Sequence, residues 1–336
     1  MIKLFLLTLV LTALSFSAYA IPEQDYLKNF HSTVWPFYKQ RGESGSFKSA
    51  NGGTVSYRIF AAPNEKGAIV LVLGQGQAAI MSAELVYDLH AAGYSIYVLD
   101  HVGQGLSSRE ITDTAVSYIE DFDYYVRDLR TFVKTRFNSV EHPKRLMMTN
   151  SMGGAVAALY LSRWPKDFDR VVMAVPMFEM NTHGVPQSLS LAVAGSASLA
   201  GQGEKLALKE KKFDFNWDAD CNESSDGRKL RGCAMMDVRR EIPEAAVGGV
   251  TWRWLYEALK ATYRIRDGLG TKITTPVLIL QAGNDERVKN EGQNKVCEQM
   301  LNCSIQAFPG SSHRLTTESD VLRDAAMEAT LNFFAR

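Results

Sequence analysis

The chain has 336 residues, with 37 lysines and arginines balancing 37 aspartates and glutamates, 46% hydrophobic and 22% charged residues, 25 glycines and 10 prolines. That composition is ordinary for a globular protein and excludes collagen-like, low-complexity and disordered chains. Its length suits one large domain or two modest ones, and its even charge offers no basic field for phosphates, so nucleic acid is not expected as a partner.

Residues 1–20 read as a cleaved export signal rather than as part of the fold. Lys3 supplies the positive start, Leu4 to Leu14 is an apolar run broken only by Thr8 and Thr12, and Ala18-Tyr19-Ala20 is the small-x-small cleavage pattern. Ser15 and Ser17 interrupt the run before the roughly 20 apolar residues that a membrane span needs. The mature chain is expected to begin at Ile21 and to be periplasmic or secreted.

Beyond the signal, Thr54 to Phe60 alternates Val55, Tyr57 and Ile59, the pattern of a half-exposed edge hairpin strand. Ala68 to Leu73 (AIVLVL), Ser95 to Leu99, Arg145 to Thr149, Val171 to Val175 and Val277 to Leu280 are short continuous apolar runs, as strands buried on both faces should be. Helical patterns separate them at Glu84 to Ala92, Ile119 to Phe137, Gly153 to Arg163, Val288 to Met300 and Ser319 to Phe334. This alternation predicts an α/β fold, a mostly parallel central sheet flanked by helices. The interval from Val175 to Val277 far exceeds a crossover connection and reads as a cap or lid insertion over 181–272, dividing a core of 21–180 and 273–336. Its first half, Gln187 to Gly203, is rich in Ala, Ser, Leu and Gly and offers a peripheral membrane contact; an independent small domain is the other reading.

The strongest chemical signal is Thr149-Asn150-Ser151-Met152-Gly153-Gly154, set between an apolar strand and a helix of small residues. A sharp strand-to-helix turn exposes a serine hydroxyl at the carboxyl edge of the sheet, with small neighbours permitting the turn. A nucleophilic serine needs a base and a carboxylate to orient that base. Asp285 follows a buried strand, His313 precedes the last helix, and the order Ser151, Asp285, His313 is that of α/β-hydrolases. Glu286 is the back-up acid. His31, His90, His101, His142 and His183 read as surface, cap or packing residues. Oxyanion donors are expected from the amides of Met152 and of Gln75, within the Gly74-Gln75-Gly76-Gln77 loop after an early strand. Neither a phosphate-binding loop nor a dinucleotide fingerprint is completed, and no metal or organic cofactor is expected.

All four cysteines lie after residue 220. Export favours disulfides, and pairing Cys221 with Cys233 and Cys297 with Cys303 is the simplest of three connectivities. Such loops would constrain the unfolded chain by about 3 and about 2 kcal/mol.

The segments LVLGQGQ, AELVYDLHAAGY, LDHVGQGLSSR and DYYVRDLRTF, the turn NSMGGA, and VGGVTWRWLYEAL, PVLILQAGNDERV and GSSH further on resemble bacterial lysophospholipases related to monoacylglycerol lipases. The resemblance implies an α/β-hydrolase fold with a cap and a serine hydrolase acting on lipid-like esters through Ser151, Asp285 and His313, with Gln75 and Met152 as oxyanion amides. Leu189, Leu191, Trp252 and Trp254 are candidate groove residues for an acyl chain. The chain departs from that family at Leu73-Gly74, where His-Gly is common, and at Thr149-Asn150, where Gly-His is common. A carboxylesterase, a thioesterase or an aminopeptidase-like hydrolase shares this triad, and a catalytically inactive hydrolase fold serving as a binding protein is the alternative from another class.

Overall fold

The computed structural model describes residues 21–216, 221 and 224–336, so the export signal expected over residues 1–20 lies outside the described residues. In chain order, helices α1 (Tyr26–Asn29) and α2 (Trp35–Arg41) precede the hairpin of β1 (Glu43–Lys48) and β2 (Thr54–Phe60). Then come β3 (Gly67–Val72), α3 (Ala83–Ala91), β4 (Tyr94–Leu99), α4 (Asp123–Phe132), β5 (Arg145–Asn150), α5 (Met152–Leu161) and β6 (Arg170–Ala174). An insertion carries α6 (Gln187–Ala197), α7 (Gly227–Glu241) and α8 (Trp252–Arg266), after which β7 (Val277–Ala282), α9 (Asn290–Gln299), β8 (Cys303–Phe308) and α10 (Asp320–Ala335) complete the chain.

The strands form one sheet in the order β1-β2-β4-β3-β5-β6-β7-β8. β2 runs antiparallel to β1 and β4, and every other pair is parallel. The chain leaves β3 toward β4 on one side and returns to place β5 on the other. The carboxyl ends of β3 and β5 therefore flank a switch point, where the connecting loops part and a crevice opens. This is the architecture of the α/β-hydrolase fold with an inserted helical region.

β3 and β4 are buried throughout because both faces of the sheet are covered. On one face, α4, α5, α8 and α9 pack over Val70, Val72, Tyr97 and Met147; on the other, α1, α2, α3, α7 and α10 pack over Ile69, Leu71, Ile96 and Val98. The insertion thus straddles the sheet, with α7 in one core and α8 in the other. Arg231 of α7 fixes one of these attachments. Its Nε lies 3.1 Å from both Glu84 oxygens, its other nitrogens reach Asp320 Oδ1 at 2.6 Å and the Glu318 carbonyl at 2.9 Å, and its guanidinium stacks on Tyr26. Arg323 pairs with Asp88 beside it.

Three features differ from the sequence reading. β2 is not the sheet edge, because β1 pairs outside it. β8 forms the opposite edge, and its Ser304 and Gln306 face solvent, which gives CSIQAF a polar look. The helix expected from Ile119 starts at Asp123, whose N–H is accepted by Asp121 Oδ1 at 2.9 Å, leaving Ile119 and Phe122 to bury themselves from the preceding loop. Cys221 is bonded to Cys233 and Cys297 to Cys303.

Candidate active site

β5 delivers the chain to Ser151 and α5 takes it away within one residue. Ser151 consequently adopts φ 51° and ψ −116°, a region that side-chain-bearing residues rarely occupy. The turn is held from three sides: the Ser151 N–H donates to the Ala174 carbonyl at 3.0 Å, and the Ser151 carbonyl accepts from Met177 and Gly154, both at 2.9 Å. The following glycines are sterically required. A Cβ on Gly153 would stand 2.0 Å from the Val72 carbonyl oxygen, and one on Gly154 would stand 2.4 Å from Pro176 Cβ. Thr149, which replaces the more usual glycine, is buried against Gly154.

Asp285 occupies the turn after β7. Its Oδ1 accepts the N–H groups of Arg287 at 2.8 Å and Val288 at 2.9 Å, and its Oδ2 lies 2.7 Å from His313 Nδ1. His313 Nε2 lies 2.8 Å from Ser151 Oγ. The His313 loop is itself fastened, since Ser312 donates through its N–H and its hydroxyl to Glu318 Oε1 at 2.7 and 2.6 Å. The Asp285 side chain is 1% exposed and that of His313 is 19% exposed, so the carboxylate is shielded while the imidazole keeps an open edge. The structure therefore brings Ser151, His313 and Asp285 into one hydrogen-bonded chain. Glu286 stays outside it, offering only its backbone carbonyl to Asn181 at 3.2 Å. The other histidines lie elsewhere: His31 beside Asp237, His90 on the Ala61 carbonyl, His142 beside Glu65, His101 buried and His183 exposed.

Across the crevice, the loop after β3 presents the Gln75 N–H, which meets no acceptor among the described residues. Met152 is the first residue of α5, so its N–H has no acceptor within the helix. Side-chain amides that the sequence reading did not single out hold this loop. Gln77 Oε1 accepts from the Gly74 N–H at 2.7 Å and from Asn150 Nδ2 at 3.1 Å, tying the loop to the residue before Ser151. Gln104 Nε2 donates to the carbonyls of Gly74 at 2.8 Å and Gln77 at 2.9 Å, while its Oε1 accepts from Gly76 at 3.2 Å. Glutamine flanked by glycine, in GQGQ and again in GQGL, was the available signal.

Asp100 supports the same loop from below, accepting from Ala79 at 2.6 Å and Leu106 at 2.8 Å. Burial pushes its carboxyl up to about 6, against the pull of those two amides. Burial likewise lowers the neighbouring His101 to about 4, with only the Leu73 backbone opposing it. Gln75 reaches outward, its Nε2 donating to Ser117 Oγ at 2.6 Å and to the Gly248 carbonyl of the insertion at 3.0 Å.

The four residues named for an acyl groove separate. Trp254 is core, 2% exposed with its indole nitrogen 3.3 Å from Tyr125 Oη; Trp252 and Leu191 are half-buried, and Leu189 is exposed on α6. Trp254 lies on the inward stripe of α8, where a tryptophan fills the sheet-facing core. Among the described residues, no cluster of His, Cys, Asp or Glu is arranged to hold a metal ion, and no helix is long and apolar enough to cross a membrane.

Comparison with known proteins agrees with this fold. The pattern of the family described as serine aminopeptidase, S33, matches residues 63–320. Lysophospholipase L2 of Escherichia coli strain K12 is 29% identical over 315 residues, spanning 89% of each chain. A probable lysophospholipase L2 of Haemophilus influenzae is 25% identical over 287 residues, spanning 83% of this chain and 88% of that one. A soluble variant of monoglyceride lipase from Saccharomyces cerevisiae, solved with a substrate analog, superposes with a TM-score of 0.67 at 15% identity, covering 87% of this chain and 94% of the other, and speaks to the fold.

Proposed function

The chain belongs to the serine aminopeptidase S33 family of α/β-hydrolase-fold serine hydrolases, and from that membership we propose that it is an exported esterase of lipid substrates, lysophospholipids or monoacylglycerols, using Ser151, His313 and Asp285. The observation that carries the reading is the unbroken hydrogen-bond chain from Asp285 through His313 to Ser151 Oγ, at 2.7 and 2.8 Å. Two relatives named as lysophospholipase L2 or probable lysophospholipase L2, aligned over most of their length, support the lipid ester as the substrate. The two disulfides support an oxidising compartment. Exposed Leu189, Val193 and Leu199 on and after α6 support a peripheral membrane contact through the insertion.

In this reaction Ser151 Oγ attacks the ester carbonyl as His313 Nε2 takes its proton. Asp285 keeps His313 Nδ1 protonated and stabilises the imidazolium. The carbonyl oxygen, now anionic, accepts the free N–H groups of Gln75 and Met152, which are fixed before substrate arrives. His313 returns the proton to the departing alcohol, leaving an acyl-Ser151 ester. Water then attacks that ester by the same proton path, releasing the fatty acid and restoring the serine.

Purified protein lacking residues 1–20 should label with a fluorophosphonate and hydrolyse lysophospholipid or monoacylglycerol, with both properties lost in Ser151→Ala. A well-folded protein that neither labels nor hydrolyses any member of an ester panel would overturn the proposal and favour a binding role.

A further inference from the structure

Arginines in this structure are usually matched to carboxylates. Arg231 meets Glu84 and Asp320, Arg323 meets Asp88, and Arg266 meets Glu179 at 2.8 Å. Among the arginines without such a partner, Arg239 and Arg314 lie near each other. Arg239, in the last turn of α7, stacks 4.8 Å over the Phe213 ring, and its Nε is buried with no hydrogen-bond partner. Arg314 follows His313 directly and is exposed. Among the described residues, neither guanidinium forms an ion pair.

Both belong to the surround of Ser151. α7 packs on the Leu315–Thr317 turn that succeeds Arg314, and the Arg314 charge reaches Arg239. On the opposite side, Phe213 abuts Gly248, whose Cβ position would be 2.3 Å from the Phe213 nitrogen, and the Gly248 carbonyl accepts from the Gln75 side chain. Arg239 is therefore set between the strip that touches the oxyanion loop and the loop that carries His313. The two positive charges are near enough to interact. Burial first, and the Arg314 charge second, lower the Arg239 guanidinium to about 10, which leaves it cationic at neutral pH.

A partly buried cation beside a like charge, without a carboxylate, is a costly arrangement that an anion would relieve. The anion that guanidinium groups match best beside a lipid ester is a phosphate, through charge-assisted and bidentate hydrogen bonds. We propose that Arg239 and Arg314 form a phosphate subsite that receives the phosphodiester of a lysophospholipid while its ester carbonyl lies at Ser151. This inference rests on the ester-hydrolase reading above. It makes the preferred substrate a phospholipid derivative rather than a neutral monoacylglycerol. Free inorganic phosphate shares the chemistry and is separated from a headgroup by the inhibitors chosen below.

The test compares octanoyl lysophosphatidylcholine with monooctanoylglycerol, both below their micelle-forming concentrations, in wild type, Arg239→Gln, Arg314→Gln, the double variant and Arg239→Lys. The ratio of kcat/KM for the phospholipid to that for the glyceride should fall at least tenfold in each glutamine variant, through KM more than kcat. It should fall further in the double variant and less in Arg239→Lys. Glycerophosphocholine should inhibit wild type competitively and more tightly than inorganic phosphate. A ratio unchanged within twofold in Arg314→Gln and in the double variant, or inhibition by inorganic phosphate alone, overturns the subsite. Because Arg314 is exposed, that variant reads the proposal even where Arg239→Gln fails to fold. Hydrolysis of neither substrate by wild type overturns the esterase reading itself, and the subsite falls with it.

Discussion

Asp285→Asn should disable the site by choosing the wrong tautomer of His313, and the reason lies in the turn that holds the carboxylate. Asp285 Oδ1 accepts two backbone N–H groups, from Arg287 and Val288, while Oδ2 faces His313 Nδ1. An asparagine there has one oxygen and one NH2 group to distribute. Turning the NH2 toward the backbone would oppose donor to donor twice, at about 1–3 kcal/mol for each buried group left unpaired. The amide therefore keeps its oxygen on the turn and points its NH2 at His313. Nδ1 must then accept, the ring proton moves to Nε2, and Nε2 can no longer take the Ser151 proton. The expected loss in kcat is on the order of 10³–10⁴-fold, or about 4–5.5 kcal/mol of transition-state stabilisation, with little change in KM. Steady-state hydrolysis of a short-chain ester and the rate of fluorophosphonate labelling measure it, with the thermal midpoint as a folding control. A folded variant within tenfold of wild type in kcat would refute the assignment. Glu286→Gln should change kcat by less than about twofold, since its side chain takes no part in the chain of hydrogen bonds.

Replacing Gln77 by Met removes the acceptor shared by the Gly74 N–H and Asn150, and kcat should fall about 10–100-fold while KM moves less than about threefold; an unchanged kcat in steady-state assays would show that the loop holds its shape without the clamp. His101 and Asp100 predict opposing pH effects on stability. His101 is held neutral with its pKa lowered from 6.5 to about 4, so its contribution is complete above 6.5 and is lost as pH falls through that window, by about 3 kcal/mol. Asp100, raised from 3.8 to about 6, contributes below 3.8 and loses about 3 kcal/mol as pH rises to its folded value. His101→Phe should therefore gain about 3 kcal/mol relative to wild type between pH 7 and pH 4 in urea unfolding, and a difference independent of pH would exclude this account. Arg231→Met takes the guanidinium from Glu84 and Asp320, leaving Glu84 to Tyr26 and Arg323, and should cost up to about 3 kcal/mol by urea unfolding; a loss under about 1 kcal/mol would mean that the remaining partners and solvent compensate those carboxylates.

What the sequence disclosed follows from which constraints are local. Buried parallel strands are short apolar runs because both faces are covered, so β3, β4, β5, β6 and β7 announce themselves. β1 and β8 are edges with one face in water, and their mixed composition hides them. Ser151, Asp285 and His313 were legible because each sits at a fixed place relative to a strand or helix. The amide clamp was not, because Gln77 and Gln104 come from two separate loops and Asn150 from the end of β5, and they meet only once the sheet order is known. The insertion's length was legible, but its attachment was not. The apolar stripes of α7 and α8 look alike in sequence, although one helix packs on each side of the sheet.

That attachment bears on how the insertion can cover the site. Residues 247–251 run over the oxyanion loop: the Gly248 N–H donates to the Ala115 carbonyl at 2.9 Å, Ser117 exchanges hydrogen bonds with Gly249 and Thr251, both at 2.9 Å, and Ala207 donates to the Val250 carbonyl at 3.0 Å. With α7 and α8 each fixed in a core, this strip has no free hinge at its base, and moving it requires breaking that small ladder. Gln75 sits in the loop after β3 and is bonded through its side chain to Ser117 and Gly248. A displacement of the strip therefore pulls on Gln75, the proposed oxyanion donor. A substrate that enters without disturbing residues 247–251 finds the donor in place, whereas one that forces the strip aside meets a site whose donor has moved. Under the proposed reaction, room at this strip should therefore govern which esters are hydrolysed fast.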